Sequence, residues 1–368
     1  MSKSMNNVPE ELVKDIEKSR EKLRLKKYKV YTKLMNYLKA EKNESESAMS
    51  LLDWAYDFEC NFQCPHCCAS AFRLKEKREH LSLDKVRHIA DEADKLGIFV
   101  INLIGGEPLI WKDFDNIVSE IDPTRFHISI TTNGWMLTYD KARHLEEIGI
   151  DKIGVSIDSG IEEEHDSFRN KQGSFRKAIE ALKNAHKAGI RTMISTVVTH
   201  QNIHTEGFKK LLELSETLNI GLDLQCSTVS GGWRGNYEVL IDKDDANFLE
   251  ELRIRYPLLR RDVWSTPGSK GGCPAATRSV YIIPSGDVLP CLFIHISFGN
   301  IFRESLDVIQ QRMIKIHEFR NYSKFCFAGE DRRFINSYLS KTFNTNELPL
   351  NYIDIFTDRY NSKINTGD

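Results

Sequence analysis

Phe58-Glu-Cys-Asn-Phe-Gln-Cys-Pro-His-Cys-Cys-Ala69 carries Cys60, Cys64 and Cys67 in a C-x3-C-x2-C spacing. Three thiolates this close can converge on one soft metal centre. They fill three irons of a four-iron, four-sulfur (4Fe-4S) cube and leave the fourth iron for a ligand that is not protein. A zinc knuckle or a disulfide framework is the alternative. Structural zinc takes four protein ligands, often as two C-x2-C pairs. Here the spacing is uneven and no second pair lies nearby. Cys68 follows Cys67 directly and reads as a small buried residue, since adjacent cysteines rarely share one cube.

Around this run the sequence alternates strand and helix signals. Apolar runs predict strands at 51–58, 99–104, 126–130, 152–157, 192–198 and 221–225. Helical patterns lie between them, with Ser82, Thr138 and Ser174 as predicted N-caps and Gly97, Gly149 and Gly189 as stops. Repeated βα units imply a parallel sheet, either doubly wound or a partial TIM-like barrel. Cys60, Gly105-Gly-Glu-Pro108, Thr131-Thr-Asn-Gly134, Ser156-Ile-Asp158, His200 and Cys226 all fall at or just past a predicted strand end. Strand ends of one polarity form one face, where α/β enzymes place their sites.

The cysteine triplet and Gly105-Gly-Glu-Pro108 resemble the motifs of the radical S-adenosyl-L-methionine (SAM) superfamily. The resemblance implies an α/β fold, a (β/α)6 partial TIM barrel. It also implies that SAM chelates the open iron and is cleaved to a 5′-deoxyadenosyl radical that takes hydrogen from a substrate. Gly105, Gly106, Glu107 and Pro108 would then meet the SAM amino group. Glycine lets backbone approach closely, and a carboxylate pairs with ammonium. Thr132, Asn133 and Ser156 resemble the polar strand ends that bind the SAM ribose and carboxylate. Asp158 is either a SAM contact or a structural hydrogen-bond acceptor. Arg169 either clamps the SAM carboxylate through its planar guanidinium or pairs with Asp166. His66 stands where the family usually has an aromatic residue near the adenine, and imidazole can stack there.

Farther on, Cys273 and Cys291 frame a predicted β-hairpin: 280–283, a Pro-Ser-Gly-Asp turn and 288–289. With Gly286 the spacing is C-x12-G-x4-C, and a helical pattern near 305–316 and Cys326 follow. This resembles the opening half of the SPASM motif. The cysteine-dense continuation is absent, so the shortened twitch form, with one auxiliary 4Fe-4S cluster, matches better. The resemblance implies Cys273, Cys291 and Cys326 as ligands. The fourth is Cys226, a carboxylate such as Glu330, or an open iron that meets the substrate. Cys226 reads in three ways: a core thiol, a catalytic hydrogen donor to a substrate radical, or that ligand. The loop Gly231-Gly-Trp-Arg-Gly235 is a substrate lid or a plain loop.

The chain has 368 residues, 40% apolar and 28% charged, with a net charge of −2. This is ordinary globular composition, without the basic field that would suggest nucleic acid. No apolar run suggests a membrane span or a signal peptide, and eight cysteines point to a reducing cytoplasm with metal or redox roles. The expected organisation is a helical N-terminal extension packed on the barrel (1–48), the barrel (49–235), a small C-terminal twitch domain of hairpin plus helix (236–340) and a polar tail (341–368). The expected activity is oxidation of a small metabolite, with the auxiliary cluster as electron acceptor and flavodoxin or ferredoxin as electron donor. Peptide modification and redox-neutral epimerisation are the alternatives. A non-enzymatic metal-binding scaffold is the remote one.

Overall fold

The computed structural model describes residues 10–42, 49–73, 81–261, 263–264, 271–320 and 323–356. Six parallel strands follow one another in chain order: β1 (Leu51–Ala55), β2 (Val100–Ile104), β3 (His127–Thr132), β4 (Ile150–Ser156), β5 (Arg191–Val198) and β6 (Gly221–Cys226). The sheet then extends at both edges. β7 (Leu259–Arg261) runs parallel to β6, and β8 (Ser279–Ile282) runs parallel to β1. β9 (Val288–Leu289) pairs antiparallel with β8, so the predicted hairpin continues the barrel sheet. The order from β7 to β9 is open, as in a partial TIM barrel.

Side chains alternate across each strand, and that alternation makes two different faces. One face carries Leu52, Trp54, Ile101, Leu103, Ile128, Ile130, Ile153, Val155, Leu222 and Leu224, all buried in the main apolar core. The other carries smaller and polar residues and lines a cavity.

Helices cover the apolar face. Ser82 and Thr138 cap α3 (Leu83–Lys95) and α5 (Tyr139–Glu147) by accepting from Lys85 N and Lys141 N. Gly97, Gly149 and Gly189 take the positive φ that ends the predicted helices. Ser174 is not a cap. It lies inside α7 (Ser174–Lys187), whose N-cap is Gly173, and its hydroxyl donates to Asp166. Asp166 also accepts from Gly173 N and Phe175 N, so a carboxylate from α6 (Glu162–Arg169) does the capping.

α1 (Glu10–Lys26) and α2 (Tyr28–Lys42) lie under the N-terminal ends of the strands, opposite the cavity. Lys27, between them, donates to the carbonyls of Phe126 and Gly149 and pairs with Asp151 at 2.5 Å. Lys33 donates to Ile98 O and Arg125 O and pairs with Asp94. Each ammonium thus satisfies carbonyls just before the strands. α9 (Lys243–Arg255) and β7 form a further helix–strand unit beyond residue 235. The stretch after Lys341, expected to be a polar tail, packs as far as it is described. β11 (Leu350–Asn351) pairs with β10 (Ile296–Ser297), and Leu348, Ile355 and Phe356 are buried. Leu348, Tyr352, Ile355 and Phe356, four buried residues in a polar context, seat it.

Lys27→Met should lower stability by about 2 kcal/mol, because Asp151 would keep its burial and lose its cation. Chemical denaturation of the two proteins measures this.

Candidate active site

The cysteine loop after β1 is gripped from two sides. Gly106 N donates to Asp57 O at 3.0 Å, and Glu107 N donates to Glu59 O at 2.7 Å. A Cβ on Gly106 would stand 1.8 Å from Glu59 O, so only glycine fits. From the other side, Gly232 N donates to Cys67 O at 3.0 Å. A Cβ there would stand 1.9 Å from Pro65 O. The 231–235 loop is therefore a brace on the cysteine loop.

A cavity of about 420 Å³ opens inside the barrel and is lined by Cys60, Cys64 and Cys67. Burial raises the Cys60 thiol and pushes the Cys64 thiol up to about 11, so iron must displace protons to bind them. Gly105, Gly106, Glu107, Thr132, Asn133, Ser156, Arg169, His66 and Cys226 share the wall. Pro108 and Asp158 stand behind it.

Glu107 is 2% exposed. Its carboxylate accepts from Thr132 Oγ1 (2.6 Å), Asn133 N (2.8 Å) and Leu109 N (3.2 Å). Burial still leaves its pKa raised against those donors. Arg169 pairs with Asp158 at 2.7 Å, not with Asp166. Asp158 also accepts from Val197 N at 2.9 Å. Burial opposes the charge on Asp158, but Arg169, His66, His165 and the Val197 N–H together more than offset it and the pKa falls. Asp158 thus aims a guanidinium at the cavity. His66 stacks on Phe168 at 4.3 Å, near Trp233. Burial lowers its pKa to about 4, so it is a neutral ring at pH 7. His200 does not reach the cavity wall. It pairs with Asp245 at 2.8 Å, beside the start of α9.

The second cysteine set gathers beside the end of β6. Cys273 N donates to Ser323 O at 2.7 Å, tying it to the Cys326 segment. Cys326 feels Cys226, Cys273, Glu330 and Cys291, in that order, and burial raises its thiol first of all.

Residues 58–214 match the profile described as the Radical SAM superfamily, and 273–332 match an iron-sulfur cluster-binding domain, SPASM. The chain is 30% identical over 272 residues to the mycofactocin maturase MftC of Mycolicibacterium smegmatis, covering 69% of this chain and 67% of that protein.

The chain belongs to the radical SAM superfamily.

It is also 23% identical over 304 residues to the AdoMet-dependent heme synthase of Nitratidesulfovibrio vulgaris (75% of this chain, 82% of that one). Its fold resembles that of Streptococcus suis SuiB bound to its precursor peptide SuiA, with a TM-score of 0.57 and 17% identity over 74% of this chain and 67% of that one. Membership in the radical SAM and SPASM families brings SAM and 4Fe-4S clusters as cofactors. The residues present fit them: three thiols at one end of a cavity, a glycine-only approach beside them, and a buried carboxylate and guanidinium facing each other's neighbourhood.

The radical SAM motifs account for the rim of the cavity but not for its floor. Asp53, Asn102, Ser129 and Lys152 lie side by side on β1 to β4, in register, and Asp223 joins from β6. Ser129 Oγ donates to Asn102 Oδ1 (3.0 Å), and Asn102 Nδ2 donates to Asp53 Oδ1 (2.8 Å). Burial raises Asp53 to about 6, against the Asn102 bond and the Lys152 charge. The signal was present in the sequence as polar residues that interrupt apolar runs: Leu-Leu-Asp53, Val-Ile-Asn102, Ile-Asp-Lys152, Gly-Leu-Asp223. Strands buried on both faces read as continuous apolar runs, so these interruptions mark a face that meets solvent or ligand.

Glu107→Gln should leave iron content intact. It should weaken SAM binding by about 1.5–3 kcal/mol, the worth of a charged hydrogen bond. It should also lower the melting temperature of the SAM-free protein, because one amide would face the Asn133 N–H. Calorimetric titration with SAM and a thermal melt separate the two effects.

Asp53 sets a pH window. Its folded pKa of about 6 lies above the 3.8 of an ordinary aspartate, so the folded state holds the proton longer. The contribution of Asp53 to stability is fully present below about pH 4 and is lost as pH rises through about 6. Asp53→Asn should flatten that fall and stabilise the SAM-free protein at pH 7 by about 3 kcal/mol at most. Denaturation midpoints at pH 4, 5, 6 and 7 test it.

Proposed function

We propose that this radical SAM enzyme oxidises a small, polar metabolite held over the barrel floor, with an auxiliary cluster receiving the substrate electron. Cys60, Cys64 and Cys67 hold the SAM-binding cluster. Glu107, with Gly105 and Gly106, receives the SAM amino group. Pro108 fixes the turn that presents it. Arg169, aimed by Asp158, takes the SAM carboxylate, and Thr132, Asn133 and Ser156 meet the ribose side. His66, backed by Phe168 and Trp233, offers an uncharged stacking face to the adenine. Cys273, Cys291 and Cys326 hold the auxiliary cluster. When bound and reduced, cluster and SAM supply a carbon-centred radical that removes a hydrogen atom from substrate.

The observation that carries this reading is a single cavity. Its wall holds the cysteine triplet and also Cys226, which borders the second cysteine set. A substrate in it lies between the two cysteine groups. The floor residues Asp53, Asn102, Ser129, Lys152 and Asp223 offer charge and hydrogen bonds to a polar molecule. α1 and α2 are committed to the far end of the barrel and present no surface at the cavity mouth.

Peptide modification is the second reading. It is favoured by the maturase relative and by the peptide-bound solved structure. An electron donor such as ferredoxin or flavodoxin serves either chemistry.

The test is anaerobic turnover of reconstituted enzyme in deuterated water, with metabolite pools and with any short peptide encoded beside the gene. Oxidation gives 5′-deoxyadenosine and a product lighter by two hydrogens, without solvent deuterium at the reacting carbon. A product of unchanged formula carrying one deuterium would mean epimerisation. Turnover of the peptide alone would establish the second reading.

A further inference from the structure

We infer that Cys226 is the fourth protein ligand of the auxiliary cluster and that Arg261 positions its sulfur. This rests on the auxiliary cluster proposed above and says how it is completed.

The Cys326 segment meets both other elements here: Cys273 N donates to Ser323 O at 2.7 Å, and one point beside Gly329 lies 3.2 Å from Cys226 Cβ and 3.7 Å from Cys326 Sγ. The sequence offered Glu330 as a rival ligand, but Glu330 is committed elsewhere. Its Oε2 accepts from Cys326 N at 2.9 Å and pairs with Arg261 Nη2 at 2.5 Å. It braces the Cys326 turn instead. The same guanidinium donates to Cys226 Sγ from Nη2 (2.6 Å) and Nε (3.2 Å). Its side chain is 4% exposed, so this contact is built in.

Gly329 makes room for the arrangement. A Cβ at 329 would stand 2.6 Å from Ser227 O, 3.2 Å from Cys226 Cβ and 3.7 Å from Cys326 Sγ. The space that a side chain at 329 would take is the space between Cys226 and Cys326. A side chain there would collide with the carbonyl oxygen of Ser227, the residue after Cys226, and would press on Cys226 Cβ.

Two N–H donors on one sulfur fix the direction in which it points, as outer-shell partners do for a metal ligand. On binding, the Cys226 sulfur–iron bond forms as the thiol proton leaves to solvent. No electron changes hands in that step. The result is an auxiliary cube closed by protein on all four irons. None is left for direct ligation of substrate, although Cys226 itself remains in the cavity wall.

The experiment uses full-length protein with Cys60→Ala, Cys64→Ala and Cys67→Ala, so that only the auxiliary cluster assembles. About four irons per chain and a reduced-cluster electron paramagnetic resonance spectrum are expected. An iron-free protein would overturn the auxiliary cluster itself. Adding Cys226→Ala should convert the cube to a three-iron form, seen as loss of one iron and the signal of an oxidised three-iron centre. Ethanethiol plus ferrous iron should restore the cube. Should Cys226→Ala assemble no cluster at all, Cys226→Ser, of nearly the same volume, keeps a ligand atom. It should hold a cube with shifted g-values and a more negative midpoint potential. Arg261→Gln should keep four irons and also shift the potential negatively. An unchanged four-iron spectrum and potential in Cys226→Ala or Cys226→Ser would refute the assignment and leave the auxiliary cluster standing.

Discussion

The contact on which the site depends is backbone against backbone. Gly106 lies so close to Glu59 O that no side chain can intervene, and two amides of the Gly105–Pro108 turn donate to carbonyls of the cysteine loop. Peptide groups are stiff and their hydrogen bonds short, so the loop's height above the sheet is set by β2. Gly232 then fixes the other end of the loop through Cys67 O. Three thiols on a loop of such length would otherwise sample many positions, and chelation would have to order them. Here most of that ordering is done by strands that are stable for other reasons.

The barrel was legible because its units carry redundant marks. Ser82 and Thr138 cap, Gly97, Gly149 and Gly189 stop, and apolar runs recur between them. Where the reading slipped, a non-local partner had taken over a local role. Ser174 looked like a cap, but Asp166 from the preceding helix supplies the acceptor. Of the two readings of Arg169, the one that paired it with Asp166, three residues before it, does not hold. That carboxylate was already bound to three donors, so the guanidinium turned to Asp158. No one-dimensional spacing rule contains that competition. β7, which is Leu-Arg-Arg, and the packed 350–356 segment were missed because such short stretches give little periodicity to read.

The floor shows a subtler limit. β1 to β4 and β6 carry polar residues within apolar runs, and a single such interruption is uninformative. Only the register, which places Asp53, Asn102, Ser129 and Lys152 abreast, turns four exceptions into one layer. Register in a parallel sheet is fixed by pairing across long sequence separations, and it becomes visible only when the fold is known.

That layer also bears on why the site looks as it does. Asp53 and Asp223 are both raised by burial, so the folded protein holds carboxylates where water solvates them poorly. Apolar residues at these positions would remove the cost, as the outer faces of the same strands demonstrate with Leu52, Ile101 and Leu222. Groups kept at a cost in stability tend to sit where function uses them. The rim follows a different rule. Glu107, Asp158 and Glu330 each have several donors in place, so these carboxylates are buried with their partners and act by fixing neighbours. Rim charges orient the strand ends around the two cysteine sets. Floor charges are only partly compensated by Asn102, Gln225, Lys152 and Arg260. The rim is therefore held rigidly by satisfied groups, and the less satisfied layer lies beneath it.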